Sequence, residues 1–159
     1  MKYARLSKEQ FEFLSKEFSF FLASQSIDKN IWEEIKKNNK EETDNILDNF
    51  SDFVWDDILS KEMYLNHISS KNVFLFFCKK EYNKLLFIKT DHVGVDFLSD
   101  KGWIWLKNNF HNNKIELYRS KKTYQSSRKK EIFSLIKKGA FIDSGNLFKS
   151  IDTFLSKNE

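Results

Sequence analysis

The sequence predicts an α+β fold in which N-terminal helices pack with a small, mainly antiparallel sheet and further short helices. Apolar residues in the first part of the chain recur at the i, i+3, i+4, i+7 spacing of a helix, whereas short runs of aromatic and β-branched residues begin at Val73. The 159 residues include no Pro and only 4 Gly, and no linker composition interrupts them. We therefore expect a single domain over 1–159, helical at about 7–66 and mixed at about 72–157.

Three helices are predicted in the helical part. The segment 7–10 reads Ser-x-x-Gln, the form of a capping box, so the first helix should begin at Lys8 and continue through Leu22. Asp28 is a good N-cap for the second helix. The third should begin near Glu41 and run to position 64 or 65.

Short strands and helices alternate in the mixed part. Segments 73–78 and 85–88 should form a hairpin closed by 79–84, and 115–118 should be an outer strand. Segment 93–97 is either a loop or a third strand, and 140–142 is a short extended piece. Helices should follow N-caps at Ser99 or Asp100, at Ser126 or Ser127, and at Ser144, with Gly139 ending the second of these three helices.

Charge is unevenly distributed along the chain. The formal net charge is +4 and the pI is about 9.0, but residues 1–60 carry a net charge of −5 and residues 61–159 carry +9. Either the two halves attract each other within the fold, or the basic half recruits an acidic partner.

Composition excludes several classes of protein. A single Cys excludes a disulfide framework and a Cys-based zinc site within one chain. No apolar run approaches the length of a membrane span, and the first residues lack the apolar stretch of a secretory signal. We expect a cytoplasmic protein that makes no membrane contact.

The most regular polar feature is an acidic stripe on the third predicted helix. Carboxylates four residues apart lie on one helical face. The stripe is a solvated face, a dock for a basic surface of this chain or of a partner, or a divalent-cation site. Its members are Asp44, Asp48, Asp52 and Asp56.

A basic segment covers residues 119–138. It could contact an acidic protein or nucleic acid, with tyrosines among the cations available for base stacking, or it could simply be a solvated or internally docked face. The residues that could contact a partner are Arg119, Lys121, Lys122, Arg128, Lys129 and Lys130.

Two tryptophans form a third candidate surface. Trp103 and Trp105 are two positions apart on a short predicted helix and should not both face the core. One of them, with Phe13 or Phe20, could line an exposed patch where a partner binds. The alternative is a helix buried on both sides.

The residues supply little chemistry for catalysis. The three His are scattered, and Cys78 ends an aromatic strand, where it should be a buried small hydrophobe and not a nucleophile. No Gly-rich phosphate loop is present in the sequence, and we predict no catalytic residues, no cofactor and no metal.

Residues throughout the chain carry a resemblance to a known family. The densest block is Phe-Leu-Ala-x-Gln-Ser-Ile at 21–27, and further matching positions lie at 2–11, 17–18, 32–36, 50–55, 64–65, 132–133, 139–140 and 147–148. The chain resembles an uncharacterised domain-of-unknown-function family of short cytoplasmic proteins from Bacteroidota, chiefly flavobacteria. The resemblance implies a single-domain protein without an assigned activity, and it supplies no catalytic residues.

Three functions remain open from the sequence. The first is a non-enzymatic cytoplasmic protein-interaction module or accessory subunit. The second is a nucleic-acid- or ribosome-associated binding protein that uses residues 119–138. The third is an enzyme whose site assembles from scattered His and Asp residues.

Overall fold

The computed structural model describes residues 1–158 and has the α+β fold that the sequence predicts. These residues form seven helices and one five-stranded sheet. They separate into two compact units, residues 1–60 and residues 61–158. Each unit is described by itself below, and the single-domain organisation stays a prediction.

Four helices make up the first unit: α1 (Lys8–Phe13), α2 (Ser15–Ser24), α3 (Lys29–Asn38) and α4 (Lys40–Ser60). The predicted start at Lys8 is confirmed, because the Ser7 hydroxyl accepts from the Gln10 backbone N–H and the Ser7 N–H donates to the Gln10 side chain. The cap at Asp28 is also confirmed, since its carboxylate accepts from the N–H of Ile31 at 2.9 Å.

Two boundaries in this region differ from the predictions. The first helix is interrupted at Leu14, whose φ of −97° and ψ of 24° separate α1 from α2. The third predicted helix ends at Ser60, and Met63–Ile68 is a strand. This strand pairs antiparallel with the next one along its whole length, and that pairing satisfies its backbone groups better than one more helical turn would.

Phe50 on α4 lies at the centre of the first unit. Its side chain is fully buried, as the predicted helix phase requires. Its ring centroid lies 5.7 Å from that of Phe11, 4.9 Å from Phe18 and 5.3 Å from Phe21. Aromatic residues of α1 and α2 therefore pack on one position of α4.

The second unit contains the sheet and three helices. Its elements in chain order are β1 (Met63–Ile68), β2 (Asn72–Cys78), β3 (Tyr82–Thr90), α5 (Asp100–Asn109), β4 (Ile115–Thr123), α6 (Arg128–Lys137), β5 (Phe141–Asp143) and α7 (Asn146–Lys157). The strand order is β4-β3-β2-β1-β5, and all neighbouring strands are antiparallel. The predicted hairpin is formed by β2 and β3, and the predicted outer strand is β4.

Loops and caps in this unit follow the sequence except at the hairpin connection and at the cap of α7. The hairpin connection is shorter than 79–84 because β3 already begins at Tyr82, and segment 93–97 is a loop. Ser99 and Ser127 are N-caps as predicted, and Gly139 follows α6 with φ +105°. The predicted cap at Ser144 is wrong: Gly145 precedes α7 with φ +86°, and its N–H donates to the Asp143 carboxylate.

The core of this unit lies against one face of the sheet. Cross-strand neighbours of β2 and β3 meet there with side chains of the 93–97 loop, α5 and α7. The buried members are Val73, Leu75, Leu86, Ile88, Val95, Phe97, Leu106, Phe148 and Ile151. No helix among residues 1–158 has both the length and the apolar character needed to cross a membrane.

Candidate functional site

The acidic stripe lies on α4, and the N-terminal segment (residues 2–6) of the same chain binds to it. Arg5 contacts the first half of the stripe: its Nε donates to Asp48 at 2.6 Å and its Nη1 donates to Asp44 at 2.8 Å. The pairing with Arg5 lowers the pKa of Asp48, and the same hydrogen bonds raise the pKa of Arg5. The Asp48 side chain is only 23% exposed, so the alternative of a fully solvated face does not hold at this residue.

Lys2 and Tyr3 contact the second half of the stripe. The backbone N–H groups of both residues donate to the two Asp52 oxygens, at 2.6 and 2.9 Å. The Lys2 ammonium lies 3.0 Å from Asp56, and the Tyr3 hydroxyl donates to the same carboxylate at 2.8 Å. Each of the four carboxylates therefore contacts the N-terminal segment. This arrangement matches one alternative from the sequence analysis, in which the stripe docks a basic surface of the same chain. Binding of a separate partner by the stripe stays a prediction.

The contacts with α4 continue to Leu6, two residues before α1 begins. Trp55 Nε1 donates to the carbonyl of Ala4 at 3.1 Å, and the N–H of Leu6 donates to the Ser51 hydroxyl at 3.1 Å. Ser51 is buried and its own hydroxyl donates to the Leu47 carbonyl. The stripe and these two bonds hold Leu6 against α4.

Leu6 is one wall of an apolar groove in the first unit. The groove has a volume of about 550 Å³ and lies between α1, the start of α2 and the second half of α4. Its apolar walls include Leu6, Phe13, Leu14, Phe53, Val54 and Ile58. Phe13 is 86% exposed and Phe53 is 60% exposed, so two large aromatic rings beside the groove are open to solvent.

Acidic side chains border this apolar groove. The charged residues that line it are Glu9, Glu17 and Asp57, and no Lys or Arg is among its lining residues. An apolar surface with a rim of one charge favours a ligand that has an apolar face flanked by the opposite charge.

Neither Trp103 nor Trp105 is exposed, so the packing favours the alternative of core contacts over an exposed tryptophan patch. Both are half-buried and pack against the core of the second unit. Trp103 lies 5.6 Å from Phe97 between ring centroids, and Trp105 stacks on His92 at 5.1 Å. Residues two positions apart on a helix point in different directions, so one of the two tryptophans would be exposed on an isolated helix. The 91–97 loop covers both of them, through His92 and Phe97.

The residues of the basic segment differ in their contacts and in their exposure. Arg119 pairs with Asp152 at 3.1 Å, and the Lys121 ammonium lies 4.0 Å from the centre of the Tyr82 ring. Lys129 is half-buried and Lys130 is exposed on the first turn of α6. Lys122 is exposed on β4.

Arg128 has a structural position that the sequence did not predict. It is half-buried, and its guanidinium donates to the carbonyls of Lys61, Cys78 and Lys79 at 2.6, 3.0 and 2.8 Å. Arg128 is therefore less exposed than its place in the basic segment suggests, because backbone acceptors of the same unit use its donors, and its binding to a partner stays a prediction.

Cys78 is fully buried at the end of β2, as predicted. Burial raises the pKa of its thiol to about 12, so the thiolate needed for nucleophilic attack is scarce at neutral pH. Among residues 1–158, no group of three or more His, Cys, Asp or Glu side chains is placed to hold a metal ion.

Sequence reasoning missed most of the groove. The sequence analysis names Phe13 only as a possible member of a patch with a tryptophan, and it does not single out Phe53. The rim residues Glu9 and Glu17 are eight positions apart, two helical turns, and that spacing is the one signal that could have placed them on a common face.

The fold and this site define a class: an α+β protein that presents an apolar, acid-rimmed groove on its helical unit. The chain belongs to the family of unknown function DUF6495, whose model matches residues 1–156. No curated protein and no solved structure matches the chain.

Proposed function

We propose that this protein is a non-enzymatic interaction module or accessory subunit whose groove binds a basic amphipathic helix of a partner protein. The observation that carries the proposal is the pair of exposed rings, Phe13 and Phe53, beside an apolar groove with an acidic rim. Amphipathic helices dock into apolar grooves through anchors at helical spacing, and aromatic residues dominate the binding energy of such sites.

Charge supports a basic occupant. The rim carboxylates of Glu9, Glu17 and Asp57 would face cations on the edges of the docked helix. The whole first unit, residues 1–60, carries a net charge of −5, which would accelerate the approach of a basic partner.

The acidic stripe supports the groove indirectly. Asp52 and its neighbours hold the N-terminal segment, and this segment places Leu6 in the groove wall. We propose that the stripe stabilises the binding site and that it does not itself contact the partner.

Nucleic-acid binding by residues 119–138 is the alternative function. It is less well supported, because Arg119 and Arg128 already bind Asp152 and three backbone carbonyls. Lysines without arginine forks give little geometric selectivity for phosphate. The cytoplasm as the compartment and Bacteroidota as the source are also part of the proposal and rest on the sequence alone.

A model peptide tests the groove directly. The probe is a fluorescent amphipathic helix of leucines and lysines, compared with a leucine–glutamate peptide of the same apolar face, in about 150 mM salt to limit non-specific attraction. We expect anisotropy titration to show saturable binding of the lysine peptide alone. Phe53→Ala and Phe13→Ala should each raise its Kd at least about tenfold, a loss of about 1.4 kcal/mol.

Phe20→Ala is the matched control. Phe20 is 66% exposed in the same unit but does not line the groove, so its removal should leave the Kd unchanged. Equal loss in all three variants, or equal binding of the two peptides, would contradict the proposal. Circular dichroism of each variant separates lost binding from lost fold.

A further inference from the structure

Lys122 and Lys138 of the basic segment, like Lys130 and Lys137, make no side-chain hydrogen bond or ion pair within residues 1–158, although Lys122 lies near enough to Glu131 to help lower the pKa of that carboxyl. Lys122 lies on β4 and Lys138 directly follows α6, sixteen positions later in the chain. Both residues nevertheless line one pocket.

This pocket lies between α6 and the sheet face opposite to the core of the second unit. Its volume is about 320 Å³, within the lower range of small-molecule sites. Phe76 and Leu85, which are cross-strand partners, form its apolar side on the sheet, and Ile132 and Leu135 line it from α6.

Two further polar residues of the pocket are held in place by backbone groups. The Glu131 carboxylate accepts from the N–H groups of Gln125 and Ser126, each at 2.7 Å. The Ser126 N–H contributes most to the lowered pKa of Glu131, and Lys122 contributes least. The Tyr124 hydroxyl donates to the carbonyl of Lys79 at 3.0 Å. These bonds fix the wall that connects β4 to α6, so the pocket exists before any ligand arrives.

We propose that this pocket binds a small organic anion with a flat apolar body. The apolar body would lie between the sheet residues and α6, and its carboxylate or sulfonate would contact Lys122 and Lys138. One acidic and two basic side chains line the pocket, which leaves a net positive charge for such a ligand. This site is separate from the groove, and neither proposal depends on the other.

The probe is anilinonaphthalenesulfonate, which combines an aromatic body with one sulfonate. We expect fluorescence titration of the full chain to give a saturable site, and amide NMR shifts to locate it on residues of β3, β4 and α6. The double variant Lys122→Gln/Lys138→Gln should raise the Kd at least about tenfold. N-phenylnaphthylamine, the uncharged analogue, should bind the wild-type pocket at least about tenfold more weakly than the sulfonate.

Lys130→Gln/Lys137→Gln is the matched control, because it removes the same charge from exposed positions of α6 that do not line the pocket. It should change the Kd by less than about twofold. The proposal is overturned if the control weakens binding as much, if the uncharged analogue binds equally well, or if the amide shifts fall outside this unit. Phe53→Ala in the groove should leave the signal unchanged.

Discussion

Asp52 is the residue of the acidic stripe with the clearest structural role. Its two oxygens accept from the backbone N–H groups of Lys2 and Tyr3. We expect Asp52→Ala to lower the free energy of unfolding by about 1–2 kcal/mol, because hydrogen bonds to a charged acceptor are lost and one of them is partly buried. Urea denaturation measures this, with the exposed Asn49→Ala of the same helix as the control. Equal stability of the two variants would contradict the role.

We expect Arg128 to stabilise the folded protein, although it belongs to the basic segment. Its guanidinium binds three backbone carbonyls, and Gln at this position cannot reach all of them. We expect Arg128→Gln to cost about 2 kcal/mol, because two part-buried carbonyls then lose a charged donor and the exposed Lys61 carbonyl returns to water. Lys130→Gln removes the same charge from an exposed neighbour and should cost less than about 0.5 kcal/mol. Thermal unfolding compares the two, and a similar shift in Tm would show that the carbonyl contacts contribute nothing.

Cys78 should make stability depend on alkaline pH. Burial raises the pKa of its thiol in the folded state from 9.0 to about 12, so above pH 9 the unfolded chain loses a proton that the folded chain keeps. The stabilisation from the protonated thiol is complete below pH 9 and declines between pH 9 and 12 by about 1 kcal/mol per pH unit.

The measurement is urea unfolding at pH 8 to 11 for wild type and Cys78→Ala. Burial and, second, the neighbouring Cys78 raise the pKa of Tyr124 to about 12, so both proteins are measured in a Tyr124→Phe background that removes this titration. The stability difference should shrink as the pH rises. A difference that is constant across this range, together with rapid labelling of the native thiol, would place Cys78 at the surface.

At the scale of elements, α4 organises the first unit through Phe50. Three aromatic rings from α1 and α2 pack on this fully buried side chain. We expect Phe50→Ala to lower the free energy of unfolding by about 3–5 kcal/mol, because the neighbouring rings cannot collapse completely into the cavity. Phe20→Ala, on the exposed side of α2, should be nearly neutral in the same denaturation experiment. The reverse order would mean that the helix phase is wrong.

Elements with local signals were predictable, and elements that depend on distant partners were not. The capping box at Ser7 and the cap at Asp28 need only neighbouring residues, and the structure has both. β1 was missed because Met63–Ile68 becomes a strand only by pairing with β2 on one side and β5 on the other. The cap at Ser144 was wrong by one residue because the Asp143 side chain holds the turn instead.

At the scale of the whole molecule, the fold class followed from the sequence, but the candidate sites did not. The acidic stripe was visible as a pattern, yet its partners Lys2 and Arg5 lie about 40 to 50 positions away. The groove depends on the interruption between α1 and α2 at Leu14 and on the position of the N-terminal segment against α4. Neither feature has a recognisable sequence pattern. The four-residue spacing of the aspartates was therefore enough to predict an acidic stripe. The residues that the stripe contacts could be identified only from the folded chain.

The division of charge coincides with the division of structure. The net charge of −5 belongs to residues 1–60 and the +9 to residues 61–159, and Ser60 is also the last residue of the first compact unit. Each molecule therefore carries one structured unit of each sign. In dilute buffer the acidic unit of one molecule attracts the basic unit of the next, and ions at about 0.1 M screen this attraction beyond roughly 10 Å. We therefore expect reversible clustering as salt is removed, which light scattering over a salt series would measure, and scattering that does not change with salt would contradict it.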